Sequence, residues 1–189
     1  MPRIAKLSRN AIAERLAGVF ELNGYEGASL KMLADAVGLS KASLYHHFPG
    51  GKEDMAAHVL VGAGAHMQQL ILSPLSSAED AKARLYASLD GTLNYYSGDV
   101  PVCLMNSLLL GGGLTLFGAQ IASSVAVWQK GLERAYQEAG ADVGEAAPWA
   151  AYAVERIQGA LVLCRVSQQR AQLEAAVGEL KADVELLGE

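Results

Sequence analysis

Apolar residues recur at intervals of three and four positions along almost the whole chain, and hardly any segment alternates with a period of two. This spacing places apolar side chains on one face of an α-helix, whereas a half-buried strand would need alternation. Only five prolines interrupt the 189 residues. The sequence therefore predicts an all-α fold of about nine helices.

Serine residues mark the predicted starts of the first helices. Ser8, Ser29 and Ser40 each precede a run with helical spacing, and a serine hydroxyl can accept a hydrogen bond from a free amide of the first turn. Gly38 stands where the second helix is expected to end. We predict helices at about 8–22, 29–38, 40–48, 53–72, 77–97, 102–110, 114–139, 146–168 and 170–187.

The chain is long enough for a small module joined to a larger helical body. The two cysteines, Cys103 and Cys164, lie in apolar surroundings without CxxC spacing, so we expect buried thiols in a reducing compartment. The first residues carry charges but no continuous apolar run, which is unlike a secretory signal. These features predict a cytoplasmic protein.

One segment raises the question of a membrane span, because no charged residue lies between Asp99 and Lys130. An apolar run of that length could cross a bilayer as a helix. Polar side chains interrupt the run, however, and the glycines at 111–113 divide it into two short halves. We therefore predict two buried helices, and a membrane-associated helical protein is an alternative.

Charge is distributed unevenly along the chain. Residues 1–47 hold six Lys/Arg and four Asp/Glu, which gives a net charge of +2, and residues 48–189 hold nine and sixteen, which gives −7; the sum is the overall −5. A uniformly acidic protein would be repelled by nucleic acid, but a basic head on an acidic body can still bind it. The sequence predicts a basic N-terminal head.

The segment FPGGKE, at 48–53, ends in a Gly-Lys pair like that of a phosphate-binding P-loop. A P-loop needs a glycine five residues before that pair and Ser or Thr after it, so that amides hold phosphate and a hydroxyl holds magnesium. His46 and Glu53 occupy those positions. The sequence therefore argues against a nucleotide site.

Residues 29–48 instead predict two short helices joined by a tight turn at Gly38. Leu33, Val37 and Leu44 can pack inward, which leaves a small, polar face on the second of these helices. Such a helix can lie in the major groove of DNA. From spacing alone, an ordinary helical hairpin with a solvated face explains the pattern equally well.

The segment 27–57 resembles the DNA-binding region of the TetR family of transcriptional regulators, and its FPGGKE loop resembles the branch of that family that includes the LmrA and YxaF regulators. The matching residues are Leu33-Ala34, Gly38-Leu39-Ser40, Ala42-Ser43, Leu44-Tyr45, His47-Phe48 and Gly51-Lys52-Glu53. The resemblance implies a helix-turn-helix DNA-binding domain at 1–50 and a ligand-binding and dimerisation domain at 51–189.

The resemblance also implies which side chains would meet DNA. Tyr45 and Lys52 are expected at phosphates, and the remaining positions belong to the recognition helix or its approach. The predicted DNA-binding residues are Lys31, Ser40, Lys41, Ala42, Ser43, Tyr45, His46 and Lys52. A basic arm of Arg3, Lys6 and Arg9 could reach flanking phosphates or the minor groove, and a solvated, frayed terminus is the alternative.

The C-terminal part is expected to dimerise the protein and to bind an effector. Two apolar stripes within 146–187 could form a four-helix interface; they are Ala150, Val154, Ile157, Leu161 and Cys164, and Leu173, Val177, Leu180, Val184 and Leu187. Packing inside one protomer is the alternative. An apolar small-molecule site is expected among Met67, Tyr96, Met105, Asn106, Leu109, Phe117, Trp128, Trp149 and Tyr152, and ordinary core packing is the alternative for most of them.

We find no sequence pattern typical of an enzyme, a cofactor or a metal site. GxSxG, HExxH and paired Cys/His spacings are absent. His46 and His47 are adjacent on a helix, so their side chains diverge by roughly 100°. The resemblance implies a repressor that binds a palindromic operator as a dimer and is released by an apolar inducer. A helical small-molecule-binding protein without specific DNA binding is the alternative.

Overall fold

The structure is a computed structural model, and it describes residues 8–77 and 79–188. Within these residues nine α-helices form and no strand does, so the all-α prediction is confirmed. A π-helical turn, Gln68–Leu72, and a 3-10 turn, Pro74–Ser76, follow the fourth helix. The helices are α1 Arg9–Gly27, α2 Leu30–Val37, α3 Lys41–His47, α4 Gly51–Met67, α5 Ala81–Tyr95, α6 Leu104–Leu108, α7 Gly113–Glu138, α8 Val143–Ser167 and α9 Ala171–Glu185.

The chain divides into two compact units. The first contains the chain up to Gly64 together with Leu104–Ala119, and the second contains Ala65–Cys103 together with the chain from Gln120 onward. The first unit thus contains α1 to α3, most of α4, all of α6 and the start of α7. A functional boundary at residue 50 stays a prediction.

The three predicted serine caps are confirmed. The hydroxyl oxygens of Ser8, Ser29 and Ser40 accept hydrogen bonds from backbone amides three residues later, at 3.1, 3.2 and 3.1 Å. Each bond satisfies one amide that the first helical turn would otherwise leave unpaired. The first three helices therefore begin where the hydroxyl spacing predicts.

The core of the first unit is built from the apolar faces of its short helices. Its fully buried side chains include Ile12, Leu16, Phe20, Leu33, Leu44, Phe48 and Met55. Burial of a side chain of this size contributes roughly 1.5–3 kcal/mol. The packing of α1, α2, α3 and α4 on this shared core therefore fixes which face of α3 is left exposed.

Helix α1 runs further than predicted, but it is kinked at Gly24. The predicted end at Leu22 is wrong by five residues, because helical structure continues to Gly27 across a non-helical Gly24 with φ 66° and ψ −175°. The Ser107 hydroxyl donates to the Glu21 carbonyl at 2.7 Å beside this kink. Gly24 thus bends the helix against α6 instead of ending it.

In the second unit, polar contacts fix α5 at its middle and at its C-terminal end. Ser88 is buried and donates to the Ile71 carbonyl of the π-helical turn at 2.8 Å. Arg170 donates to the carbonyls of Leu93 and Tyr96 at 2.7 and 2.6 Å, where α5 ends. A guanidinium at a helix C-terminus satisfies carbonyls that lack intrahelical partners and complements the negative end of the helix dipole.

The two apolar stripes predicted to meet a partner are buried within the protomer. Every side chain of both stripes is at most 4% exposed in the single chain. Their assignment to the partner surface is therefore wrong, because these side chains already pack in the core between α5, α8 and α9. Residues on the opposite faces of α8 and α9 are exposed instead.

The uncharged segment after Asp99 folds as α6 and the first part of α7, which begins at Gly113. Cys103 and Cys164 are both buried, as predicted. None of the helices within residues 8–77 and 79–188 is both long enough and apolar enough to cross a membrane.

Candidate nucleic-acid interface

Helix α2 ends in a tight turn at the predicted glycine. Gly38 adopts the left-handed conformation, with φ 68° and ψ 29°. The Gly38 amide donates to the Asp35 carbonyl at 3.2 Å, and the Leu39 amide donates to the Ala34 carbonyl at 3.1 Å. A side chain would strain this conformation, so glycine allows the chain to turn sharply into α3.

Helix α3 buries one face and exposes the other. Leu44 and the following Phe48 are fully buried, which anchors the helix to the core of the first unit. Lys41, Ala42, Tyr45 and His46 are exposed, with Tyr45 45% exposed. The outward face combines one cation, one small residue and two aromatic groups that can form hydrogen bonds. That combination suits contact with phosphates and base edges.

Two predicted DNA-binding serines also stabilise the start of α3. Ser40 Oγ accepts from the Ser43 amide at 3.1 Å and lies 3.0 Å from Ser43 Oγ. Ser40 therefore holds the helix start, and its hydroxyl contacts Ser43 before any DNA is bound. Ser43 is half-buried and lies on the same edge of α3 as Ser40.

The start of α4 lies beside α3. Gly51 has φ 70°, and an added Cβ there would lie 3.3 Å from Cε1 of Tyr45, so the Tyr45 ring covers this turn. The next residue, Lys52, extends its ammonium group over the Tyr25 ring at 4.5 Å from the ring centroid. Tyr45 and Lys52, the two predicted phosphate contacts, therefore occupy neighbouring positions.

The predicted basic arm is only partly within the described residues. Arg3 and Lys6 lie outside them. Arg9 pairs with Asp54 at 2.5 Å, and its guanidinium lies 4.9 Å from the centroid of the Phe48 ring. Arg9 thus joins the start of α1 to α4 and the end of α3, so it holds the domain together in addition to any contact with DNA.

Lys31 is exposed and forms an ion pair with Asp35 one turn later, at 2.6 Å. The hydrogen bond to Asp35, followed by the charge of that carboxylate, raises the pKa of Lys31. A surface pair of this kind contributes little to stability. Lys31 could therefore exchange its carboxylate partner for a phosphate at small cost.

Several contacts of this site join residues far apart in the chain, and sequence spacing gave no indication of them. His58 Nε2 lies 3.2 Å from Asn10 Oδ1, and the His58 ring is edge-on to Phe48. Tyr25, which contacts Lys52, was not predicted as a site residue. Its position in the NGYEG segment suggested only a helix end.

The predicted effector residues are distributed over both units. Met105, Asn106, Leu109 and Phe117 belong to the first unit, and Met67, Tyr96, Trp128, Trp149 and Tyr152 belong to the second. In the second unit Tyr96 is buried, and its hydroxyl donates to Cys103 Sγ at 3.6 Å. Tyr152 is 50% exposed. A shared effector site for these residues stays a prediction.

The exposed faces of α8 and α9 form a candidate partner surface, which we call the outer face. On α8 it comprises Tyr152, Gly159, Val162, Leu163 and Val166, and on α9 it comprises Ala171, Ala175, Gly178, Ala182 and Leu186. The side chain of Val166, for example, is 77% exposed. Helical spacing places each set on one side of its helix, opposite the buried stripe. Exposed apolar side chains on one side of a helix pair are a feature of many protein interfaces.

Known proteins resemble this chain in two respects, the sequence of the segment that forms the candidate interface and the fold. The sequence model described as bacterial regulatory proteins, tetR family, matches residues 12–59. The HTH-type transcriptional regulator LmrA of Bacillus subtilis (strain 168) is 33% identical over 82 residues, 43% of this chain and 44% of that protein. The chain thus spans less than half the length of this relative.

Two solved structures extend the likeness beyond the matched segment. A TetR transcriptional regulator from Legionella pneumophila has a TM-score of 0.80 and 20% identity, and the alignment covers 96% of this chain and 99% of that chain. The structure of AibR in complex with isovaleryl coenzyme A and operator DNA has a TM-score of 0.56 and 27% identity, with coverage of 70% and 72%.

Proposed function

We propose that the chain is a member of the tetR family of bacterial regulatory proteins, whose sequence model matches residues 12–59, and a cytoplasmic transcriptional repressor that binds a palindromic operator as a homodimer. The exposed face of α3, held on a buried core by Leu44 and Phe48, is the observation that carries this proposal. A short helix presented in this way fits the major groove. Residues 1–50 would bind DNA, and residues 51–189 would bind the effector and the partner.

Within the operator complex, each predicted residue takes one of two roles. Lys41, Ala42, Ser43 and His46 lie on α3 and would approach base edges. Lys31, Tyr45 and Lys52 would contact phosphates on either side of the groove. Ser40 would contribute chiefly by fixing the start of α3, since its hydroxyl caps that helix.

Dimerisation would use the outer face of α8 and α9, within residues 146–187. Gly159, Gly178 and the alanines of α9 leave room for helix backbones to approach closely, and Val162 and Val166 supply apolar area. Two copies of this surface related by a two-fold axis would form a four-helix interface. A two-fold dimer presents two copies of α3, which matches a palindromic site.

The proposed inducer is a small, largely apolar molecule bound by residues of the 51–189 region. Buried aromatic side chains such as Trp128 and Tyr96 can supply the walls of such a site, and the Tyr96 hydroxyl can supply a polar contact. The relative AibR was solved with isovaleryl coenzyme A and operator DNA together. An inducer must bind the DNA-free conformation more tightly, since equal affinity for both would leave operator binding unchanged.

Selection of bound duplexes from random DNA by the purified protein tests this proposal. We expect a two-fold symmetric site to be enriched at about 0.15 M salt, where nonspecific phosphate binding is weakened. The variant Ala42→Glu should enrich no site, because it places a carboxylate on the exposed face of α3. The matched control Ala122→Glu, at an exposed position of α7, should select the same site as the wild type.

Failure of the folded wild-type dimer to enrich any sequence would contradict the proposal. It would favour a helical small-molecule-binding protein without specific DNA binding. Recovery of the same site by Ala42→Glu would show that another surface reads the DNA.

A further inference from the structure

The ammonium group of Lys52 rests on an aromatic ring and has no carboxylate partner among residues 8–77 and 79–188. Its Nζ lies 4.5 Å from the centroid of the Tyr25 ring. Neighbouring cations of the first unit behave differently, since Arg9 pairs with Asp54 at 2.5 Å and Lys31 pairs with Asp35 at 2.6 Å. The ammonium group of Lys52 is therefore not already bonded to a carboxylate of the described residues near the start of α4.

The Tyr25 ring is itself held firmly by α7. It meets the Phe117 ring edge-on, with centroids 5.3 Å apart and an angle of 73° between the planes. Phe117 is only 2% exposed. A Cβ added at Gly113 would lie 3.4 Å from Cβ of Tyr25, which shows how closely the start of α7 approaches. The ring is thus a fixed support on which a flexible side chain can rest.

Burial, and then the carboxylates of Glu53 and Glu26, raise the pKa of Tyr25. The hydroxyl therefore stays protonated at physiological pH, and the ring is neutral. A neutral ring attracts an ammonium group through its quadrupole and does not accept its protons as a carboxylate would. The three N–H donors of Lys52 are left available for a phosphate.

We propose that Tyr25 is a positioning residue for DNA binding, whose ring holds the Lys52 ammonium at the start of α4 for contact with an operator phosphate. A free lysine loses considerable rotamer freedom when it is fixed in one geometry. The ring contact restricts the side chain before DNA arrives, so less freedom is lost on binding. This proposal rests on the proposed function, because it assumes that Lys52 meets DNA.

A double-mutant cycle on the selected operator tests the proposal. Tyr25→Leu should weaken operator binding about two- to fivefold, as expected for the loss of one partly exposed cation–π contact. Tyr25→Phe keeps the ring and should bind like the wild type. Lys52→Met should weaken binding and lower the salt slope by about one. Adding Tyr25→Leu to Lys52→Met should cause no further loss, since the supported charge is already gone.

Equal weakening by Tyr25→Leu in the wild type and in Lys52→Met would overturn the proposal, because Tyr25 would then act on the fold and not through Lys52. The same conclusion would follow if Tyr25→Phe bound as poorly as Tyr25→Leu.

A second readout requires no DNA. The ε-methylene protons of Lys52 in the free protein should be shifted upfield in the NMR spectrum by the ring current of Tyr25, and Tyr25→Phe should retain this shift. An unshifted Lys52 resonance would overturn the proposal even if Tyr25→Leu failed to fold. Upfield Lys52 protons in a protein that selects no operator would instead identify the failure as that of the proposed function.

Discussion

At the scale of single residues, Gly24 determines how α1 meets α6. Its backbone, at φ 66° and ψ −175°, lies in a region that only glycine occupies readily. An added Cβ would also approach the Ser107 carbonyl oxygen at 2.8 Å. The Ser107 hydroxyl bonds to the Glu21 carbonyl on the other side of the kink. Gly24 therefore permits both the bend and the close approach of α6.

We predict that Gly24→Ala destabilises the protein by about 3 kcal/mol, because it adds backbone strain and a contact with a backbone oxygen that cannot move away easily. Urea denaturation at fixed protein concentration measures the loss. The matched control is Gly18→Ala in the same helix, where an added Cβ meets nothing within 4 Å. The control should be neutral or stabilise by up to about 1 kcal/mol. Equal stability of the two variants would contradict the role assigned to Gly24.

Some residue-scale features could be predicted from the sequence, and others could not. The caps at Ser8, Ser29 and Ser40 were predictable because a cap depends on atoms three residues away. The cation–π contact of Lys52 with Tyr25 was not, since it joins positions 27 residues apart that only the folded core brings together. The Arg9 pair with Asp54 spans 45 residues and was missed for the same reason.

At the scale of helices, Arg170 joins the start of α9 to the end of α5. Besides its bonds to the Leu93 and Tyr96 carbonyls, its Nε donates to Glu174 at 3.0 Å. Its side chain is 25% exposed, so these bonds are partly shielded from water. The bonds fix the point at which α5 ends and the chain turns away.

We predict that Arg170→Ala lowers the free energy of unfolding by about 1–3 kcal/mol, the range expected for losing hydrogen bonds to a charged group. Arg134 is the matched control, because it pairs with Glu138 on the surface and its side chain is 73% exposed. Arg134→Ala should change stability by less than about 0.5 kcal/mol. Thermal unfolding at equal protein concentration compares the two variants. If Arg170→Ala lowered the free energy of unfolding no more than Arg134→Ala does, the hydrogen bonds from Arg170 to α5 would not stabilise the protein.

Helix positions were predicted well wherever apolar spacing and caps agreed. α7 at Gly113–Glu138 and α9 at Ala171–Glu185 lie within three residues of the predicted ends. α5 begins later than predicted, at Ala81, because Asp80 caps it by accepting the Ala83 amide at 3.1 Å. The π-helical turn Gln68–Leu72 was not predicted, and its Ile71 carbonyl accepts a hydrogen bond from Ser88, 17 residues later in the chain.

At the scale of the whole molecule, α8 and α9 each carry apolar residues on two opposite faces. Ile157 and Leu161 of α8 are buried, whereas Val162 and Val166 are more than half exposed. Periodicity identifies both faces as apolar, but it cannot say which of them meets the protomer's own core. This ambiguity explains why the sequence placed the partner surface on stripes of α8 and α9 that are buried within the protomer.

We predict that Val166→Glu converts the proposed dimer to monomers at micromolar concentration, because it places a charge on the outer face at the more exposed of its two α8 valines. Analytical ultracentrifugation measures the dissociation. The control Leu22→Glu alters a similarly exposed apolar residue on α1, 67% exposed, and should leave the dimer intact. A dimer that resists Val166→Glu would place the partner surface elsewhere.

The central claim is that two copies of α3, held together by the outer face, read one symmetric operator. Its most direct test is the affinity of the protein for the selected operator before and after insertion of five base pairs between the half-sites. Half a turn of duplex would place the half-sites on opposite faces of the DNA, so a rigid dimer spanning about 34–36 Å could engage only one of them. We predict a loss of affinity of about a hundredfold or more, close to the level of nonspecific binding. Unchanged affinity after the insertion would contradict the claim.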